Sequence, residues 1–217
     1  MNALAKKMGL SEDLTFYDVY SLDEPALLAH IPRPAYALLV IVPMFPQWKQ
    51  DREAEDAALG DPASYYDGGA AGKGDEPVIW FEQIIGDALS SPGSTLEQLR
   101  NDAIPLAHPE RAQLLHDSEE FEEAHKSVVA MGSTRVPTPG DHEHSGHFIA
   151  FVKANGHLWE LEGCRGGPLD RGELGEDEDV LSPRALDLGL KRIINLGGTA
   201  DERDLRFSCI VLAPKEA

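Results

Sequence analysis

His147-Phe-Ile-Ala-Phe-Val-Lys-Ala-Asn-Gly-His-Leu-Trp-Glu-Leu-Glu-Gly163 reads as two short apolar strands around a two-residue turn. Asn155-Gly156 is the dipeptide best suited to a hairpin turn with positive φ at both central positions. With that turn fixed, Ala154 faces His157, Phe151 faces Glu160, Ile149 faces Glu162, and His147 faces Cys164. Side chains alternate between the faces of a sheet, so His147, Ile149, Glu162 and Cys164 share one face. His147 and Glu162 become diagonal neighbours. An imidazole beside a carboxylate is the pairing that orients and charges a general base.

The rest of the chain supplies a fold around that hairpin. Met1–Leu10 predicts a short helix ended by Gly9, and Leu14–Tyr20 a strand. Asp23–His30 carries one or two helical turns. Ile31-Pro-Arg-Pro34 is a rigid extended break. Ala35–Pro43 is an unbroken β-branched and aliphatic run, the pattern of a strand covered on both faces. Residues 51–76 change character, with many charges and then Gly68-Gly69-Ala-Ala-Gly72-Lys-Gly74, and are expected to form a solvated loop. No strand enters that loop and no Gly-Lys-Ser/Thr follows, so it is not a phosphate cradle. Val78–Ile85 resumes an apolar run.

Ser94-Thr-Leu-Glu97 has capping-box spacing and opens a helix to about Asn101. Pro109–His116 and Ser118–Met131 are expected to be helical. Residues 132–146 hold Pro137, Pro139 and Gly140 and form a polar loop leading into His147. After the hairpin, Arg165–Gly172 is rich in turn formers. Ser182-Pro183 starts a helix with a Leu186, Leu190, Ile193, Ile194 stripe that Gly197 terminates. Arg206–Leu212 is a last strand. Strands and helices mix without regular βαβ alternation, so the expectation is one α+β domain over residues 1–217, a mostly antiparallel central sheet flanked by helices.

Composition bounds the function classes. The chain has 217 residues, 38 acidic against 19 basic, for a net charge of −19. That balance argues against nucleic acid and anionic membrane surfaces and suits a basic protein partner. Glu119, Glu120, Glu122 and Glu123 read as a wet helix face that could also meet such a partner. Cys164 and Cys209 are the only cysteines, too few for a disulfide framework, which points to the cytoplasm or nucleus. No signal peptide is visible at the N-terminus, and the run Ala35–Phe45 is about half the ~20 residues a membrane helix needs.

Phe16-Tyr-Asp-Val-Tyr20, Ile31-Pro-Arg-Pro34 with its aliphatic strand, Trp80-Phe-Glu-Gln-Ile-Ile-Gly86, Pro92-Gly-Ser-Thr-Leu96, His147–Val152, Gly156–Gly163 and Asp204–Ser208 occur in an order that resembles one family. That family is the ubiquitin C-terminal hydrolases, papain-like cysteine peptidases. The resemblance spans nearly the whole chain. It implies a thiol-dependent deubiquitinating activity with ubiquitin as partner, its C-terminal tail in a cleft and its basic face toward the acidic surface. By the same resemblance Gln83 matches the oxyanion-stabilising glutamine, His147 the general base, and Glu162 the orienting aspartate, one methylene longer. Residues 132–146 resemble the family's crossover loop.

One departure outweighs these matches. In the family Gln-x-Ile-Gly continues into Asn-Ala-Cys-Gly and an apolar helix, and that cysteine is the nucleophile. Here Gly86 runs into Asp-Ala-Leu-Ser-Ser-Pro-Gly-Ser94, and the resemblance resumes at Pro92. The nucleophile's place falls at best on Leu89. The resemblance thus implies a papain-like fold with the catalytic-cysteine helix deleted. Cys164 lies near His147, but on a strand end without a helix dipole, and reads as a structural or surface thiol; Cys209 reads as core. His142, His144 and His147 lack firm ligand spacing, so no metal and no cofactor are expected. Three expectations stand together: an incomplete, inactive copy of a hydrolase, a catalytically dead ubiquitin-binding module, or a core too depleted to fold cooperatively.

Overall fold

The computed structural model describes residues 1–43, 46–59, 89–106, 108–132, 146–165, 167–196 and 207–216. Gln83, the nucleophile-bearing region of the family and most of the crossover-like loop lie outside the described residues. In chain order the elements are α1 (Asn2–Met8), β1 (Leu14–Asp18), α2 (Pro25–Leu28), β2 (Ala37–Pro43), α3 (Pro46–Leu59), α4 (Thr95–Ala103), α5 (His108–His116), α6 (Glu119–Val129), β3 (Gly146–Ala154), β4 (His157–Glu162), β5 (Leu169–Glu173), α7 (Pro183–Leu188), α8 (Leu190–Leu196) and β6 (Ser208–Pro214). The six strands make one antiparallel sheet in the order β1-β6-β2-β3-β4-β5. The α+β architecture expected from the sequence is what the chain adopts.

The hairpin has the register that its turn dictates: Ala154 pairs with His157, Phe151 with Glu160 and Ile149 with Glu162. Asn155 and Gly156 have φ of 52° and 75°, so both turn positions are left-handed. β2 lies between β3 and β6, with Val42 opposite His147 and Val40 opposite Ile149. One face of the sheet is the core. Leu38, Val40, Val42, Ile149, Phe151, Leu158, Cys209, Val211 and Ala213 pack there against Trp48 of α3 and Ala185, Leu186, Leu190 and Ile193 of α7 and α8.

Four local expectations are corrected. β2 is not covered equally on both sides: Leu38, Val40 and Val42 are buried, whereas Ile41 on the opposite face is exposed. An antiparallel sheet can leave one face wet, and the apolar run marks a central position instead. Residues 51–59 are not loop but the body of α3, whose Trp48 is buried. The turn-rich stretch after the hairpin holds the edge strand β5. The expected single helix after Ser182 is two helices broken at Gly189, where φ is −104° and ψ is −101°. A Cβ at Gly189 would come within 2.9 Å of the Phe151 ring, so the break lets the backbone lie directly on the core. Among the described residues no helix is long and apolar enough to cross a membrane.

The return of the chain at residue 89 is anchored to the N-terminus. Leu10 bridges Ser90, Ser11 donates its N–H to Leu89 at 2.9 Å, and Ser91 donates to Gly9 at 2.8 Å. Ser94 then caps α4, accepting from the Glu97 N–H, while Glu97 accepts from the Gly93 N–H. Gly9 ends α1 with φ of 91°, and a Cβ there would fall 2.1 Å from the Cβ of Ser94. Gly9→Ala therefore combines left-handed strain with a clash against the Ser94 side chain, whose Cβ is fixed to the backbone. We expect it to lower the free energy of unfolding by about 2–4 kcal/mol, read from the urea midpoint.

Candidate active site

β3 and β4 deliver His147 and Glu162 to the core face of the sheet. Glu162 is the last residue of β4 and sits diagonal to His147, as the register requires. The His147 Nε2 is hydrogen-bonded to Glu162 Oε1, with the carboxylate side chain fully buried and the imidazole 15% exposed. The longer glutamate side chain thus reaches the imidazole. With Nε2 engaged, Nδ1 is the nitrogen left for proton exchange, the division of labour a hydrolytic histidine needs.

The pair is held by α3, whose residues from 51 onward were expected to be loop. Trp48 of α3 lies against the imidazole, with ring centroids 5.1 Å apart at 47°. One turn later, the Arg52 guanidinium stands 5.9 Å from the Trp48 ring centroid, and its Nε is 3.7 Å from Glu162 Oε2. Arg52 Nη1 also donates to the Cys164 carbonyl at 2.7 Å. A further turn on, Glu55 and Asp56 reach a buried set of arginines. Arg165, 2% exposed at its side chain, bonds Glu160, Glu55 and Asp56; Arg171 bonds Glu160 and Glu55. Arg192 of α8 lies 3.6 Å from Glu55 and 3.7 Å from Glu160. These ion pairs tie α3, β4, β5 and α8 together directly behind the dyad. Burial by itself would raise the Glu55 carboxyl, but Arg171, Arg192 and Arg165 overcome it and hold the pKa down at about 2.

No thiol is placed to be the nucleophile among the described residues. Cys209 lies in β6, where burial pushes its pKa up to about 12. Cys164 follows the end of β4, and its N–H donates to Glu162 Oε1 at 2.8 Å. Its thiol is raised above the ordinary range by burial, then by the charge of Glu162 and a hydrogen bond to it. It therefore sits on the carboxylate side of the dyad, next to a negative charge that opposes thiolate formation. Leu89 lies in an irregular segment, five residues before the cap of α4, and has no nucleophilic atom.

The raised Cys164 thiol carries a prediction of its own. Thiolate is scarce at neutral pH, so alkylation by iodoacetamide should be slow there and accelerate only above the pH at which an ordinary cysteine reacts. Glu162→Gln removes the opposing charge and should move the alkylation profile toward lower pH. A profile that Glu162→Gln leaves in place would show that the carboxylate is not what holds the proton on sulfur.

His147 and Glu162 are thus brought together, while Gln83, His142 and His144 lie outside the described residues. Sequence reading missed Trp48 and Arg52, although positions 48, 52, 55 and 56 have the spacing of one helix face. The sequence profile described as "Ubiquitin carboxyl-terminal hydrolase, family 1" matches residues 1–91 and 87–195. Ubiquitin carboxyl-terminal hydrolase isozyme L1 of Monodelphis domestica is 29% identical over 232 residues, covering 98% of this chain and 93% of that protein. An Aplysia californica ubiquitin carboxyl-terminal hydrolase is 28% identical over 194 residues, covering 82% of this chain and 83% of its own. The crystal structure of the Trichinella spiralis UCH37 catalytic domain bound to ubiquitin vinyl methyl ester superposes with a TM-score of 0.62 at 19% identity, over 98% of this chain and 90% of that one. The profile match across most of the sequence, on a fold shared with that domain, makes this chain a member of the ubiquitin carboxyl-terminal hydrolase family 1.

Proposed function

We propose that this chain is an incomplete copy of a ubiquitin C-terminal hydrolase: it keeps the proton-transfer pair of a thiol peptidase and lacks the nucleophile. The carrying observation is the buried Glu162 carboxylate locked to His147 with no competent thiol beside them. In the complete enzyme a thiolate would attack the terminal glycine carbonyl of ubiquitin. His147 would take up and return the proton, Glu162 would orient the imidazole, and Gln83 would donate its amide to the developing oxyanion. The bond broken is a thioester, ester or isopeptide, and water releases the acyl group from sulfur in the second half-reaction.

Two features of the comparisons support a missing segment. The profile match divides into two pieces that overlap at residues 87–91, where the family's Asn-Ala-Cys-Gly run should begin. The Monodelphis domestica alignment, 232 residues long, exceeds the 217 of this chain, so the relative carries residues without a counterpart here. Ubiquitin as the ligand is supported by the UCH37 catalytic-domain structure, solved with ubiquitin vinyl methyl ester, and by the net charge of −19, which suits a basic protein face. Two unpaired cysteines suit a reducing compartment, the cytoplasm or nucleus.

The test is the genomic reading frame between Gly86 and Pro92. Coding sequence for Asn-Ala-Cys-Gly and an apolar helix at that point is expected. An unbroken frame identical to the present protein would overturn the proposal of an incomplete copy.

A further inference from the structure

We propose that His147, Glu162 and Cys164 together bind one zinc-class divalent cation. One ligand atom from each, a ring nitrogen, a carboxylate oxygen and the thiol sulfur, lies within 4.8 Å of the other two. Around a tetrahedral zinc, with bonds of about 2.0–2.3 Å, ligand atoms stand roughly 3.3–3.6 Å apart. The trio would close on an ion by side-chain rotation, with His147 and Glu162 moving apart from their hydrogen bond. Two strands of one hairpin fix His147 and Glu162, and the Cys164 N–H is tied to the Glu162 carboxylate at 2.8 Å.

The donor set fits zinc better than its hard competitors. Imidazole and thiolate are poor ligands for magnesium and calcium, which take oxygen, whereas nitrogen, sulfur and one carboxylate oxygen are what zinc accepts. Three protein ligands leave a fourth position for water, and the exposed Cys164 gives the ion a route in from solvent. A second observation at the same spot is independent of the ligand count. Glu162 Oε2 is buried with no hydrogen-bond partner, its ion pair to Arg52 Nε standing at 3.7 Å. The carboxylate thus has capacity that the protein alone leaves unused, in a setting where unmet polar atoms are costly. Arg52 is the cation facing Glu162, and Asp56, 3.8 Å from Arg52, shares its charge. Trp48 supports the imidazole from the side, and Arg52 holds the Cys164 carbonyl.

On binding, the sulfur forms its metal bond as thiolate and releases its proton to solvent, His147 ligates as the neutral ring, and Glu162 gives up its bond to the imidazole. One thiolate and one carboxylate neutralise the two charges of the ion. Occupancy and proton transfer by His147 are mutually exclusive. The site shares His147 and Glu162 with the hydrolase reading and adds Cys164, a ligand that the family's triad does not use.

Cobalt(II) titration of the full-length chain tests it, since cobalt reports sulfur ligation by a near-ultraviolet charge-transfer band. One equivalent should produce that band with tetrahedral visible absorption, and zinc should displace it. Cys164→Ser should abolish the band and weaken zinc at least 10-fold in competition with a chromophoric chelator, and His147→Ala should weaken it similarly. Cys209→Ser should change neither. Absence of the band, its persistence in Cys164→Ser, or zinc affinity within twofold of the parent in either ligand variant would overturn the site. Because Cys164 is exposed, Cys164→Ser should melt with the parent in the absence of metal, and added zinc should raise the parent's Tm but not the variant's.

Discussion

Arg165→Met is expected to cost about 3–5 kcal/mol, the penalty for leaving a buried charge uncompensated. Arg165 is the hub between Glu160, whose side chain is fully buried, and Glu55 and Asp56 on α3. Against a total stability of about 5–15 kcal/mol, that loss would take away most of the cooperative unfolding transition or all of it. Circular dichroism during urea titration measures it. Arg165→Met combined with Glu160→Gln should recover part of the loss, because both ends of the pair are then neutral. If the double variant is no more stable than Arg165→Met, the charge pair is not what Arg165 contributes.

The same network fixes the acid limb of stability. The arginines around Glu55 hold its folded pKa at about 2, below the 4.5 of an unperturbed glutamate. A carboxylate depressed in the folded state contributes stability that is complete above the unfolded value. That contribution is lost as pH falls from about 4.5 toward 2. The urea midpoint should therefore decline through that window, and Glu55→Gln should be less stable at neutral pH and show a shallower decline.

The second large effect concerns activity. We expect no turnover of a ubiquitin C-terminal amide reporter by the chain as it stands. Inserting after Gly86 a segment that begins Asn-Ala-Cys-Gly and continues as the family's apolar helix should confer thiol-dependent hydrolysis. In that restored chain His147→Ala should lower the rate about 10²–10⁴-fold, the range that a positioned general base contributes. Glu162→Asp should retain activity, since aspartate is what the family's pattern carries at this position. Activity of the restored chain that survives His147→Ala would show that the dyad has another purpose.

The hairpin was legible because its signals agree. Asn155-Gly156 set the turn, alternation set the faces, and together they put Glu162 beside His147 from the sequence alone. The order of short motifs located the family and, after Gly86, the departure from its pattern on which the proposed missing segment rests. What stayed hidden was the second layer around the dyad. α3 is rich in charge, and charge normally marks a solvated surface. Here Glu55 and Asp56 point at buried arginines, so polar residues do the work of a core face. β5 was missed for the same reason: Arg171 faces inward to Glu160 and Glu55, so the strand lacks an apolar alternation. The break at Gly189 depends on the approach of Phe151 from another element, which no local pattern records.

The most direct measurement is intact-mass spectrometry after incubation with a ubiquitin derivative carrying a C-terminal electrophile. The assembled dyad without a nucleophile predicts no covalent adduct on this chain, and an adduct on the inserted cysteine once the segment is restored. An adduct on the present chain that maps to Cys164 and disappears in Cys164→Ser would contradict it, by showing that this thiol has taken the missing sulfur's place.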